Sequence, residues 1–237
     1  LDRAESHLRR VGPGGIRPVD ALVDNLQDLL RGERVHVLQG RLAYQSGEFT
    51  AAAEAFARAV DAAPASVDAR VNRGAALAQT GDLSGAIRQL ETALGLDPRS
   101  VATHRSLGAA LAHVDRHGEA VDHLRVVIEL APDDIEARRL LAGSLSRLGR
   151  EPEAIEVLFT VTALDPGDED SLLNLTFLLA DRARFREALD LVDRAHQLFP
   201  ARPRTTTTLA RLLATSPDVS LRDGSRALDL AQALFDA

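Results

Sequence analysis

The sequence predicts an all-α fold, an α-solenoid of stacked antiparallel helical hairpins with about 14 helices. Three observations predict it. Prolines 64, 98, 132, 166 and 200 fall 34 residues apart, each closing an apolar run such as ALGLDP or VIELAP, and proline cannot continue a helix. Small residues recur in the same phase at Gly40, Gly74, Gly108, Ala142 and Thr176. Ala52, Ala86, Ala120, Ala154 and Ala188 keep that phase on a second segment, so each unit offers two helices that can approach closely.

Residues 1–32 read as a degenerate leading hairpin, with amphipathic segments Leu1–Val11 and Val19–Arg31 joined by the breaker GPGGIRP. Five regular units follow, at 33–66, 67–100, 101–134, 135–168 and 169–202. In each, a large apolar residue (Phe56, Leu90, Leu124, Leu158 or Val192) stands one turn beyond the alanine and fills the space between helices. Turns at Gly47-Glu48, Gly81-Asp82 and Gly149-Arg150 separate the helices at the short lengths typical of αα connections. Residues 203–237 keep Ala210 and Ala227 but have a longer turn, and read as an irregular closing hairpin.

Composition removes several function classes. All the basic residues are Arg, and 28 of them against 35 acids give a net charge of −7, which argues against a general nucleic-acid binder. With no cysteine there is no disulfide, catalytic thiol or thiolate metal site. No apolar run is long enough to span a bilayer, so a cytoplasmic or periplasmic location is expected. The chain starts at Leu1 and contains no Met, which fits a processed or trimmed chain whose signal peptide, if it had one, lies upstream.

The search for chemistry is negative, and no catalytic residue, cofactor or metal is expected. GPGG lacks the spacing of a dinucleotide fingerprint, and Ser144 sits mid-helix without a nucleophile elbow. His113, Asp115, His117 and His123 cluster in the third unit. A helix break at Gly118 scrambles their faces, so they read as surface histidines rather than zinc ligands.

The 34-residue period, the two small-residue places and the closing proline together resemble the tetratricopeptide repeat, in its bacterial type, over Glu33 to Pro200. The usual early Trp is replaced by His36, Arg70, His104, Arg138 and Leu172, and the usual Tyr by Leu77, Leu111, Leu145 and Leu179. The resemblance implies a right-handed superhelix whose first helices line a concave surface that holds partner segments. Its groove places fall on Arg34, Arg41, Tyr44, Asn72, Gln79, Arg105, His113, Arg139, Arg147, Asn174, Phe177, Arg204 and Arg211, with Asp68, Glu136, Asp170 and Asp181 among them. Seven arginines against four acids make this face basic on an acidic protein, with its strongest part expected around Arg105, Arg139 and Arg147. That balance points to a protein or peptide partner with an acidic or C-terminal carboxylate segment, because a guanidinium fork matches a carboxylate.

Chaperone-binding members of the family clamp a terminal carboxylate with two Lys, two Asn and one Arg. Here only Arg139, Asn174 and Arg204 stand at such places in one frame, and Asn72 alone in another. The function expected is a non-catalytic scaffold that binds a peptide in its groove. Two alternatives remain open: a substrate-selecting or assembly arm of a larger enzyme, for example an exported, redox or glycosyltransferase protein, and a homo-oligomer assembled through the terminal hairpins.

Overall fold

A computed structural model describes residues 32–236 of the chain. The expected hairpin of residues 1–32 therefore lies outside the described residues, apart from Gly32. Among these residues there are twelve α-helices, one 3-10 turn and no strand. The helices are α1 (Glu33–Gln45), α2 (Phe49–Ala62), α3 (Val67–Gln79), α4 (Leu83–Leu96), α5 (Val101–His113), α6 (His117–Leu130), α7 (Ile135–Arg147), α8 (Glu151–Leu164), α9 (Glu169–Asp181), α10 (Phe185–Leu198), α11 (Pro203–Thr215) and α12 (Gly224–Phe235). The chain divides into two compact units, the first running to Ser106 and the second starting at Leu107.

Local chemistry sets each boundary. The N-caps of α3, α5, α7 and α9 are Ser66, Ser100, Asp134 and Asp168, and their side chains accept the N–H of Ala69, Thr103, Ala137 and Ser171 at 3.2, 3.2, 2.9 and 3.2 Å. Each such cap contributes about 1 kcal/mol. At the other end of each hairpin the residue before the proline leaves the helical region. Ala63, Asp97, Ala131, Asp165 and Phe199 have φ between −140° and −131°, as steric conflict with the proline ring demands.

The turns inside the hairpins share one device. Gly47, Gly81, Asp115, Gly149 and Ala183 all have positive φ, at 77°, 89°, 59°, 72° and 59°. The residue after Gly47, Asp115, Gly149 and Ala183 returns its N–H to the helix, as in Glu48 to the Ala43 carbonyl at 2.8 Å and Arg184 to Leu179 at 2.8 Å. This is the Schellman closure, in which glycine is favoured because it has no Cβ to clash. Ala183 adopts the same conformation with a Cβ. Replacing it should relieve about 1 kcal/mol of strain, against a smaller loss from the freer unfolded chain. Ala183→Gly is therefore expected to raise the urea midpoint by roughly 0.5 kcal/mol equivalent, whereas Gly149→Ala lowers it by about 1 kcal/mol.

Within the first unit α1 packs on α2 and α3, α2 on α3, and α3 on α4. Ala52, Ala53, Phe56 and Ala76 form one buried cluster, and Ala59, Val60 and Ala69 a second, with Val37 against both. Within the second unit each helix from α6 to α12 packs on the next. Its buried side chains include Leu124, Leu158, Leu175, Leu179 and Leu209. Residues 216–223 separate α11 from α12, where 46–48 suffice between α1 and α2. The longer link carries the turn Val219–Leu221 and is pinned by Arg222 Nε donating to the Ser216 carbonyl at 2.8 Å.

Candidate functional site

The first helices carry every residue singled out for binding. In the first unit Arg34, Arg41, Gln79 and Arg105 are exposed, and Tyr44 and Asn72 half-buried. Tyr44 stacks edge-on against Phe49 at 5.1 Å and packs on the buried cluster of Ala52 and Phe56. Arg34 and Arg41 lie two helical turns apart on one side of α1. With Glu33, Val37, Leu38 and Asp68 they line a cavity of about 390 Å³. Among the described residues neither arginine forms an ion pair, whereas Ser66 Oγ donates to Glu33 and ties the carboxylate back to the α3 cap.

In the second unit Arg139, Arg147 and Arg204 are already paired with carboxylates. Arg139 Nε donates to Glu136 at 3.1 Å and Nη1 to Asp168 at 3.4 Å, and the Glu136 carboxylate raises its pKa above the ordinary guanidinium value. Arg147 meets Asp115 at 3.3 Å. Arg204 meets Asp170 at 2.5 Å, and that carboxylate likewise raises its pKa. The region expected to be most basic thus consists largely of local ion pairs. Asn174, Phe177 and Arg211 are exposed, Phe177 with 62% of its surface open to solvent. His113 turns back to its own helix, its Nδ1–H donating to the Ala109 carbonyl at 2.8 Å. His117 lies 3.3 Å from Asp115. Among the described residues no cluster of His, Asp and Glu could hold a metal ion, and no helix is long and apolar enough to cross a membrane.

Two recurring arrangements escape a reading of motifs. Arg116, Arg150 and Arg184, each just ahead of a second helix, form two-pronged pairs with Glu119, Glu153 and Glu187 at 2.6–2.8 Å, which hold the three carboxyls below the usual carboxylate range. The R-x-x-E spacing in phase with the repeat would have revealed them. The residues in place of the family's early Trp also have a task. Arg70 Nη2 donates to the Pro64 carbonyl at 2.7 Å, the His104 ring to Pro98 at 3.0 Å, and Arg138 to Pro132. A polar hook to the preceding closing proline replaces aromatic packing at these three positions.

Paired helices of constant length, in-phase turns and an exposed first-helix face define an α-helical repeat protein. Family models described as tetratricopeptide repeat match residues 37–98, 80–135 and 112–175. The chain belongs to the tetratricopeptide repeat family. No curated protein matches it by sequence. Among solved structures it is similar to MamA, residue 41 to the end, from Desulfovibrio magneticus RS-1, with 19% identity over 72% of this chain and 96% of that one, at a TM-score of 0.66. It is also similar to PilF from Pseudomonas aeruginosa, at 18% identity over 86% and 90% and a TM-score of 0.70. A third, YrrB, described as a TPR protein with an unusual peptide-binding site, gives 18% over 78% and 92% at 0.63.

Proposed function

We propose that this chain is a non-catalytic scaffold that holds an acidic peptide segment of a partner protein on its first-helix face, seated at Arg34 and Arg41. The observation that carries this reading is the pair of exposed arginines flanking one cavity with no carboxylate bonded to either among the described residues. A guanidinium without a partner keeps its donors for a ligand, whereas Arg139, Arg147 and Arg204 would have to give up existing pairs. Val37 and Leu38 add apolar contact within the same cavity, and Asn72 and Gln79 on α3 offer amides to an extended backbone. YrrB, with its peptide-binding site on a similar fold, supports the class of partner.

Selection of random peptides displayed on phage tests the reading. The intact chain should enrich Asp- and Glu-rich sequences, and an Arg34→Glu/Arg41→Glu chain should lose that enrichment. Equal enrichment on both chains would remove the site.

A further inference from the structure

The side-chain hook to the closing proline is made in three of the five units, and after Pro166 the residue at its place is apolar. Pro64, Pro98 and Pro132 each accept a side-chain hydrogen bond from the residue six positions on, Arg70, His104 and Arg138, whereas the Thr206 hydroxyl after Pro200 turns to the Arg202 carbonyl at 3.0 Å. At the corresponding place after Pro166 stands Leu172, which has nothing to donate. The Pro166 carbonyl accepts no hydrogen bond among the described residues. The partner position changes with it. Arg70 Nη1 also donates to Gln89 of α4 at 3.3 Å, and the residue matching Gln89 in α10 is Leu191. A polar pair has become an apolar one, with Leu172 and Leu191 only 5% and 8% exposed.

The substitution leaves an opening. Leu172 and Leu191 form the inner wall of a cavity of about 340 Å³, whose rim is Phe159 and Ala163 of α8 and Arg194 and Leu198 of α10. Leu198 is 63% exposed and Phe159 36%, and the Arg184 guanidinium lies 5.9 Å from the Phe159 ring centre. Arg194 bonds only to the backbone carbonyl of Asp190, at 3.1 Å, and has no carboxylate partner among the described residues. Leu172 is two residues from both Asp170 and Asn174, about 200° around α9. This cavity is therefore on the opposite side of that helix from the first-helix face.

We infer that this cavity is a second binding site, taking a peptide segment that presents a bulky apolar side chain next to a carboxylate. The apolar wall accepts a Phe or Leu side chain, Arg194 supplies the complementary charge, and the Pro166 carbonyl can accept an N–H of the incoming backbone. The site is separate from the one at Arg34 and Arg41, and each can fail alone.

The test uses N-acetylphenylalanine and its neutral amide as probes, titrated into the full chain and followed by NMR of the Leu and Ala methyl groups. Saturable shifts are expected at Ala163, Leu172, Leu191 and Leu198, with affinity on the order of 1 mM for a ligand of this size. The amide should bind about fivefold more weakly. Leu172→Arg restores the residue used after Pro64 and Pro132, so it should fill the cavity and abolish the shifts. Arg194→Gln, at an exposed position, should erase the preference for the acid over the amide. The inference is overturned if the wild-type chain shows no saturable shift at these methyls, or if Arg194→Gln leaves the acid preference intact.

Discussion

Gly40→Thr should cost on the order of 3 kcal/mol, seen as a lowered midpoint in urea unfolding with little change in slope. A Cβ at Gly40 would lie 2.6–2.8 Å from three atoms of the Phe56 ring, and Phe56 is 1% exposed with no room to retreat. The same pair of places shows how the sequence handles this contact along the chain. Gly40, Gly74 and Gly108 face Phe56, Leu90 and Leu124, and the nearest contacts for a Cβ at the latter two glycines would be 2.8 and 2.7 Å. In the next units Ala142 is paired with Leu158, and Thr176 with Val192. The largest first member, Thr176, is matched with the smallest second member, Val192, whereas Gly40 is matched with the largest, Phe56, the kind of volume exchange cores tolerate. Gly40→Thr/Phe56→Val should therefore be much less damaging than the sum of its single changes. The introduced hydroxyl can donate to the His36 carbonyl, as Thr176 does to Leu172 at 2.8 Å. Strict additivity of the two single changes would refute the pairing.

Arg34→Glu/Arg41→Glu should weaken an acidic peptide by about thirtyfold at low salt, from roughly 1 kcal/mol for each exposed guanidinium–carboxylate contact. The loss should shrink at high ionic strength, since exposed charges are screened beyond about 8 Å at 0.15 M salt. The melting temperature should hold, because neither arginine forms an ion pair among the described residues. Arg139→Glu makes the informative contrast. It places a like charge between Glu136 and Asp168, so it should reduce stability more than the α1 pair does and peptide affinity less. Fluorescence anisotropy with a labelled peptide and thermal unfolding of the same samples would separate the two effects.

The fold was legible because its signals repeat. One proline or one glycine is weak evidence, but the same residue classes at a fixed interval constrain the helix stops and close contacts together. The turns were less transparent. Gly47, Gly81 and Gly149 announce a positive φ, whereas Asp115 and Ala183 adopt it only because the surrounding hairpin imposes it. The placement of the candidate residues on first helices was legible, and the state of their charges was not. The family register marks which side of each first helix points outward, and all thirteen residues do lie on first helices. Whether an arginine on that side is available depends on acids that are distant in sequence, such as Asp168 for Arg139, Asp115 for Arg147 and Asp170 for Arg204. Counting charges could not separate those from Arg34 and Arg41. The opening above Leu172 was hidden for a similar reason: a leucine in place of an arginine reads as ordinary core until the hooks at Arg70 and Arg138 reveal what it lacks.

The central claim is that an acidic segment seats at Arg34 and Arg41. Its most direct test is an amide NMR titration of the full chain with a Glu-rich peptide recovered by selection. Shifts concentrated on α1 and α3, from Arg34 to Tyr44 and at Asn72 and Gln79, are the predicted result. Shifts confined to the second helices, or spread evenly over the surface and removed by modest salt, would contradict it.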